Sequence, residues 1–200
     1  GNVSTSLANS GLDVDANSTV TSLTVGHTTP VSIGSGITLS GAITVTGGSI
    51  KLDEAGTLGS SVSMSGGTLD VDKTLTLSGA LSHTDDITID VADTKTLTYT
   101  GTAISLGANT LTLSGGGNLV SGGLTLNDAS SKLLLNSITV DSVSTSLANS
   151  GLDVDANSTV TSLTVGHTTP VSIASGITLS GAITVTAGSI KLDEAGTLGS

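Results

Sequence analysis

The sequence predicts an all-β protein: a parallel β-helix (β-solenoid) with about 20 residues and about three short strands in each coil. Apolar and polar residues alternate through short segments along the whole chain, and these segments recur about every 20 residues. Helices are disfavoured, because Thr, Val, Ile, Gly and Ser dominate the sequence and all of them are mediocre or poor helix formers. Short strands repeated at this period are typical of a solenoid.

The alternation is clearest in residues 68–79, TLDVDKTLTLSG. Its Leu and Val residues fall on one side of an extended chain, and its Asp, Thr and Ser residues fall on the other. This is the pattern of a strand with one buried and one solvated face. Lys73 interrupts the apolar side, so we expect a bend or a bulge there. Variants of the segment begin at positions 12, 37, 87, 109 and 123.

One apolar position of each leading strand defines the predicted coil period. The gaps between successive positions are 19, 19, 19, 20, 15, 20 and 28, so the seven steps from position 14 to position 154 have a mean of 20. The least strand-like piece, STSLANSG at 4–11 and 144–151, falls in the longest gap and is expected to be a loop or a bulge. We expect the following positions to stack on one another: Val14, Ile33, Leu52, Val71, Val91, Leu106, Leu126 and Val154.

A long duplication overlies the short period. Residues 3–60 reappear at 143–200, and the copies differ only where Gly34 becomes Ala174 and Gly47 becomes Ala187. We therefore interpret residues 1–200 as one continuous solenoid, a window of a longer tandem array with a 140-residue repeat. Because Ala stands at both positions in the second copy, neither position should need a backbone conformation that only Gly holds.

The composition limits the core and the partners. There is no Phe, no Trp and one Tyr, so Leu, Ile, Val and Ala must fill the core, and these side chains suit closely spaced walls. The net charge is −11, with five Lys and no Arg, which argues against nucleic acid as a partner. The chain has no Cys for disulfides. No apolar run approaches the ~18 residues of a membrane-spanning helix, and we predict no membrane span.

No residue pattern predicts an enzyme. The sequence has no G-x-S-x-G nucleophile motif and no P-loop. His27, its copy His167, and His83 stand in turn-like surroundings and are interpreted as solvated. The grouping of His83 with Asp85 and Asp86 is the one alternative, a metal or acid–base cluster. We assign no catalytic, cofactor-binding or metal-binding residues.

Aspartates recur at outward positions of the leading strand. They form either a solvated acidic face or, as a weaker alternative, a Ca²⁺ site built from stacked carboxylates; no other cofactor is predicted. The lysines at 51, 73 and 95 are evenly spaced and close to one coil apart, so we expect them to line up beside Asp53, Asp72 and Asp93. The outward aspartates are Asp13, Asp15, Asp70, Asp72, Asp90, Asp153 and Asp155.

Outward hydroxyls form T-x-T arrays at 74–78, 96–100 and 110–114. They indicate either a regular Thr rank, as on an ice-binding solenoid face, or simply the β-propensity of Thr. The array lapses at 57–66, TLGSSVSMSG, which favours β-propensity. Asn17 and Asn157 begin N-x-[ST] sequons, which matter only in a source that glycosylates Asn.

The T-L-T-L-S-G unit, with its Gly-Gly and Gly-Asn turns, resembles the strand repeats of bacterial autotransporter passengers and large haemagglutinin-like adhesins. Residues 74–79, 96–101 and 110–117 carry the resemblance best, and it extends loosely over the chain. It implies a right-handed parallel β-helix that is secreted and serves as a stalk, adhesin or matrix component. The near-exact 140-residue repeat and the lack of aromatic stacks depart from these families.

These observations lead to three functional expectations. The first is an extracellular structural protein that forms a rigid fibre or sheath by tandem repetition and self-association, at the cell surface or in the extracellular matrix. The second is the stalk of a surface adhesin whose binding tip lies outside this window. The third is an ice-binding solenoid. The expected partner in the first case is another copy of the chain, joined end to end or laterally.

Overall fold

The computed structural model describes residues 1–192 and 194–199. They contain strands, turns and bends but no helix, and every pair of named strands is parallel. The coils stack into a β-solenoid of about ten turns with three sheets around each coil. The predicted fold class, coil length and strand number are therefore confirmed, since successive strands in one sheet repeat at the predicted coil period.

In the described part of the chain, twenty-seven strands of two to eight residues build the coils. In chain order they are β1 (Asn2–Thr5), β2 (Leu12–Val14), β3 (Ser18–Thr19), β4 (Ser22–Val25), β5 (Thr29–Ile33), β6 (Thr38–Ser40), β7 (Ala42–Val45), β8 (Ser49–Leu52), β9 (Thr57–Leu58), β10 (Ser61–Met64), β11 (Thr68–Val71), β12 (Leu75–Leu77), β13 (Leu81–His83), β14 (Ile87–Val91), β15 (Thr96–Tyr99), β16 (Ile104–Ser105), β17 (Thr110–Ser114), β18 (Asn118–Val120), β19 (Leu124–Leu126), β20 (Lys132–Asn136), β21 (Thr139–Thr145), β22 (Gly151–Ala156), β23 (Ser158–Val165), β24 (Thr169–Ile173), β25 (Thr178–Val185), β26 (Ile190–Leu192) and β27 (Thr197–Gly199).

The strands form three faces of the rod. Face 1 is the ten-stranded sheet in the order β2-β5-β8-β11-β14-β17-β20-β22-β24-β26. Face 2 runs β3-β6-β9-β12-β15-β18 and continues through the first halves of β21, β23 and β25 to β27. Face 3 consists of β1-β4-β7-β10-β13 and, after a break, β16, β19 and the second halves of β21, β23 and β25.

The core is a narrow column of aliphatic side chains. Inward residues of adjacent coils stack directly, as Leu69 does between Ile50 and Ile89 on face 1, and all three are fully buried. Parallel strands stacked about 4.8 Å apart keep such ladders in contact along the whole rod. The core contains a single aromatic residue, Tyr99. The small side chains predicted from the composition are therefore those that fill the space between the three sheets.

The bend predicted at Lys73 is the corner between two faces. Strand β11 ends at Val71 on face 1, and β12 begins at Leu75 on face 2. Lys73 is exposed at this corner. Residues 68–79, which alternate as one segment in the sequence, therefore form two strands on different faces of the same core. The loop predicted at 4–11 is confirmed for residues 6–10, which lie between β1 and β2, whereas Ser4 and Thr5 belong to β1.

The predicted stacking is right in some coils and shifted to a neighbouring inward position in one. Val14 pairs with Ile33, and Val71 pairs with both Leu52 and Val91, as expected. However, Leu52 pairs with Val31 and not with Ile33. Both Val31 and Ile33 point inward from the same strand. A shift from one inward position to the next keeps every side chain on its own side of the sheet, so the alternation cannot reveal it.

The expected positions of Leu106 and Leu126 are also wrong. Both belong to face 3: Leu126 ends β19, and Leu106 follows β16, which pairs with β19. On face 1 the ladder passes instead from Ile89 to Leu113 and then to Leu135. Both of these steps are longer than the mean period, and a search for a constant period therefore selected leucines from the wrong face.

The turn at Gly47 differs between the copies. Gly34 has no positive φ, in agreement with its replacement by Ala174. Gly47 has a φ of +138°, a conformation that favours glycine, but the position does not require it in both copies. In the second copy Ala187 has no positive φ, and the following residue, Gly188, adopts a φ of +84°. The substitution is tolerated because the neighbouring glycine provides the positive φ.

Face 3 is broken once, between β13 and β16, which do not pair. Tyr99 partly replaces the missing main chain there, because its hydroxyl oxygen accepts a hydrogen bond from Leu81 N at 3.2 Å. The ring needs the space left by Gly101, where an added Cβ would lie 2.2 Å from the ring. The one aromatic residue of the chain is therefore used where the stacking of coils is interrupted.

Candidate functional site

Face 1 carries the acidic surface that the sequence predicts. One outward ladder runs through Lys51, Asp70, Asp90 and Ser114, each opposite the next in the sheet. Lys51 Nζ lies 3.3 Å from Asp53 Oδ1 and also forms an ion pair with Asp72. The Ser114 hydroxyl donates a hydrogen bond to Asp90. Coil stacking therefore places one lysine among several carboxylates.

The surroundings of this ladder raise the pKa values of two groups, Lys51 and Asp70. The hydrogen bond to Asp72 is the largest influence on Lys51 and raises the pKa of its ammonium group, although desolvation acts in the opposite direction. Burial raises the pKa of the Asp70 carboxyl, and the negative charge of Asp72 adds to this increase. Asp70 and Asp90 are directly opposite each other, so the ladder also brings two like charges together.

The expected row of three lysines does not form. Lys51 pairs with Asp53 and Asp72 as predicted. Lys51 lies on β8, whereas Lys73 and Lys95 lie in turns after β11 and β14. Within residues 1–192 and 194–199, neither Lys73 nor Lys95 makes an ion pair. The 22-residue spacing exceeds the 19-residue step from β8 to β11, so Lys73 lies in the corner beyond the strand position that Lys51 occupies. Lys95 lies in the same corner as Lys73, because Leu75 and Leu97 are also 22 residues apart.

The acidic face contains no ready-made metal site in the described part of the chain. No three His, Asp or Glu side chains come together there in a group that could hold an ion. Asp13 and Asp15, like Asp153 and Asp155, alternate with inward residues along one strand and point to solvent. Calcium binding therefore stays a prediction that would require ligands from rearranged side chains or from another molecule.

Two of the three histidines lie where they were predicted. His27 and His167 are exposed in turns. His83 is different, because it ends β13 in the inward column below Met64 and is half-buried. Its Nδ1 lies 3.2 Å from Asp85 O, and its Nε2 is buried without a hydrogen-bond partner. The prediction of a solvated turn is thus wrong for His83, which occupies a core position at the break in face 3.

Face 3 carries an outward rank of hydroxyl groups that sequence reasoning missed. Every outward position of one column is Ser or Thr, in two runs of five coils on either side of the break. None of these residues is buried. The first run is Ser4, Thr24, Thr44, Ser63 and Ser82, and the second is Ser105, Thr125, Ser144, Thr164 and Thr184.

The T-x-T arrays, for which the sequence favours β-propensity over a regular rank, are divided between faces. Thr76 and Thr98 are neighbours on face 2, but Thr112 lies on face 1 opposite Thr88. On face 2 the rank ends where Val120 follows Thr98. The available sequence signal was the alternation in segments such as SLTV at 22–25 and SVSM at 61–64. The second of these lies within the stretch that was interpreted as a lapse.

The sequon asparagines take part in coil stacking. Asn17 Oδ1 accepts a hydrogen bond from Thr38 N at 2.9 Å, and in the second copy Asn157 Oδ1 accepts one from Thr178 N at 2.8 Å. Each side chain thereby bridges to the next coil while its residue borders on solvent. A structural role in joining coils accounts for the presence of these residues in both copies.

The comparisons with known proteins return no relative. No protein-family model matches the chain, and neither a curated protein nor a solved structure matches it. The described residues include no helix that is long and apolar enough to cross a membrane. The rod presents an acidic face 1, a threonine-bearing face 2 and a hydroxyl-bearing face 3.

Proposed function

We propose that this protein is an extracellular structural protein, a rigid β-solenoid rod made long by tandem repetition and joined to copies of itself. The observation that carries the proposal is the continuity of faces 1 and 2 from the first copy of the long repeat into the second. The parallel pairing is the same throughout. Because each coil completes the core of its neighbours, further repeats require no new kind of interface.

Association by β-strand addition is the proposed mechanism. Within the described residues, β2 and β27 each pair with one neighbour only, and a further coil, of the same chain or of another copy, would add to their other edges. Such edges pair readily with a strand of another chain. The extracellular location is proposed from the resemblance to bacterial secreted β-helix proteins. Five lysines and no arginine make nucleic acid an unfavourable partner.

Electron microscopy and fibre diffraction of the native material test this function. We expect long unbranched filaments with a spacing of about 4.8 Å along the axis and a repeat of roughly 34 Å, the height of seven coils. Isolated rods that end in a distinct head would contradict the fibre and support the stalk of an adhesin instead. Globular particles without the spacing of about 4.8 Å would contradict both.

A matched pair of variants links the filament to the solenoid core. Leu113 and Thr112 are neighbours on β17, but Leu113 is fully buried and Thr112 points outward. Leu113→Asp should abolish filaments because it places an unpaired charge in the core. Thr112→Asp should leave them intact. Filaments that survive Leu113→Asp would show that the solenoid is not their building block.

The hydroxyl rank on face 3 favours ice binding as a second candidate function. Its hydroxyls repeat at the coil spacing of about 4.8 Å on one side of a rod. Thermal hysteresis of the purified protein tests this function directly, and its absence would remove the candidate. If hysteresis is found, Thr44→Lys on face 3 should lower it, whereas Thr88→Lys on face 1 should not.

A further inference from the structure

Two large apolar side chains, Val120 and Leu147, are exposed away from the ends of the described rod, and only Leu147 has a copy within the sequence. Leu147 is 43% exposed, and its copy, Leu7, is 74% exposed. Val3, Leu192 and Leu198 are exposed in the outermost coils of the described rod, but Leu147 has a coil stacked on either side of it. The exposure of this leucine therefore belongs to the repeat itself.

The loop that presents the leucine is held in a defined conformation. Asn149 has a φ of +68°, its N–H donates to Thr168 O on the next coil at 2.9 Å, and the buried Ser150 donates through Oγ to Leu147 O at 2.9 Å. The first copy makes the corresponding bonds, from Asn9 N to Thr28 O and from Ser10 Oγ to Leu7 O, both at 2.8 Å. A rigid loop loses little conformational entropy when its side chain is bound.

A depression of matching size and character lies a short way further along the same coil. It has a volume of about 160 Å³ and is formed where Gly151 stands between Lys132 and Pro170 in an outward column of face 1. Asp153 and Ser172 line its rim. Small-molecule sites usually exceed about 300 Å³, so this one suits a single aliphatic side chain.

The preceding coil carries charged residues at the positions that correspond to Leu147 and Gly151. The turn at 128–131 corresponds to the turn at 147–150, because Ser131 and Ser150 are both fully buried and Leu133 pairs with Leu152. Asp128 therefore takes the place of Leu147, and Lys132 takes the place of Gly151. Lys132 is exposed and makes no ion pair within the described residues. This corner of the rod therefore presents Leu147 and Asp128 on one side, and the Gly151 depression and Lys132 on the other.

We infer that a second copy of this chain docks at this corner, with the Leu147 side chain of each chain in the Gly151 depression of the other. A two-fold axis parallel to the rods keeps equal coils at equal heights. Each Leu147 then meets a Gly151 depression, and each Asp128 meets a Lys132. The contact is self-complementary in shape and in charge, as a two-fold interface must be. The inference deepens the proposed function, since it names a lateral contact that every further copy of the long repeat presents again.

Sedimentation equilibrium of the 200-residue chain tests the pairing. We expect a dimer of twice 19.3 kDa, and a monomer at all concentrations up to about 1 mM would overturn the inference. Leu147→Ser should weaken the dimer roughly 100-fold, because each pair contains the contact twice. Leu7→Ser is the matched control and should change the dissociation constant less than threefold, since β2 has no coil before it to supply the lower wall of the depression.

Two further variants separate docking from folding. At Gly151 an added Cβ would meet only Lys132 Cγ, at 4.0 Å, so Gly151→Val should fill the depression, abolish the dimer and preserve the melting temperature. Lys132→Glu should weaken the dimer at least tenfold, and Asp128→Lys added to it should restore binding. A dimer that survives both Leu147→Ser and Gly151→Val would overturn the lateral contact and assign association to the rod ends. Filaments in the microscope would then still support the proposed function.

Discussion

Residues 3–60 and 143–200 have nearly the same sequence but different neighbours, and their side chains differ accordingly. Val3 in the first coil is 36% exposed, whereas Val143 is 1% exposed. Leu52 is 1% exposed, whereas its copy Leu192 near the other end is 53% exposed. The comparison shows that burial in this protein depends on the coils above and below, and not on the residue type or its immediate sequence.

The strands of the two copies differ in length and continuity. In the first copy β3 and β4 are separate short strands, but in the second copy β23 runs without interruption from Ser158 to Val165. Strand β23 pairs with β21 on one side and β25 on the other along most of its length. β3 pairs only with β6, and only through two residues. Pairing alone does not explain the difference, because β6 and β7 are paired on both sides and are still separate strands, whereas their copy β25 is continuous.

Local hydrogen bonds are alike in the two copies. The buried Thr29 hydroxyl donates to Thr5 Oγ1 at 2.8 Å, and Thr169 makes the same bond to Thr145 at 3.0 Å. These bonds join only one coil to the next, so their geometry needs no further context. A hydrogen bond between two coils therefore forms in either copy, whereas full burial of a side chain requires a stacked coil on each side.

The largest expected effect comes from truncating one leucine in each copy. Leu52→Ala should lower the free energy of unfolding by about 2–5 kcal/mol, because it opens a cavity between stacked coils. Leu192→Ala should cost less than about 1 kcal/mol, since this side chain is half exposed. Chemical denaturation of the two variants measures the difference. Equal losses would show that the second copy is stacked as fully as the first.

Glycine substitutions sharpen the comparison at the turns. Gly41 and its copy Gly181 have φ values of +127° and +132°, and an added Cβ would lie 2.0 Å and 1.8 Å from a carbonyl oxygen of the previous coil. Either one replaced by Ala should cost more than about 2 kcal/mol. Gly47→Ala should be nearly neutral, because Gly48 can adopt the positive φ that Gly188 has in the second copy. Thermal melts of the three variants check this ranking.

The break in face 3 belongs to neither copy and allows a test at a site without normal stacking. Tyr99→Phe removes the acceptor of the Leu81 N–H and should cost about 1 kcal/mol. Hydrogen exchange of the Leu81 amide should become faster, while the amide of Val62, which donates to the backbone oxygen of Ala80, should be unaffected. Unchanged exchange at Leu81 would show that the tyrosine hydroxyl does not close the gap.

The smallest expected effect concerns a charge with coils on both sides. Burial raises the pKa of Asp70 above its ordinary 3.8, so the folded state holds this proton more tightly than the unfolded chain does. Its contribution to stability is therefore present below pH 3.8 and is lost as the pH rises through the raised pKa. Asp70→Asn should stabilise the protein at pH 7 by less than about 1 kcal/mol and should have no such effect at pH 3.

Denaturation at both pH values, with Thr68→Asn as a neighbouring outward control, measures this contribution. A loss of stability in Asp70→Asn at pH 7 would mean that attraction to Lys51 exceeds the combined effect of burial and repulsion.

The fold class, the coil length and the narrow aliphatic core follow from the sequence alone. Alternation with a period of two places Leu69 and Val71 inside whatever the neighbouring coils are, and the lack of large rings leaves only a thin core. The corner at Lys73 and the loop at 6–10 were predictable for the same reason, because each interrupts the local alternation.

Which residues of neighbouring strands lie opposite one another depends on the packing of the coils and not on the local sequence pattern. A shift from one inward position to the next preserves the alternation, so the pairing of Leu52 with Val31 follows from turn lengths and packing. The inward position of His83, the hydroxyl rank of face 3 and the corner with Leu147 beside the Gly151 depression all depend on that pairing. Short aliphatic strands resemble one another too closely for local pattern to distinguish them. Their register is set by the contacts between coils.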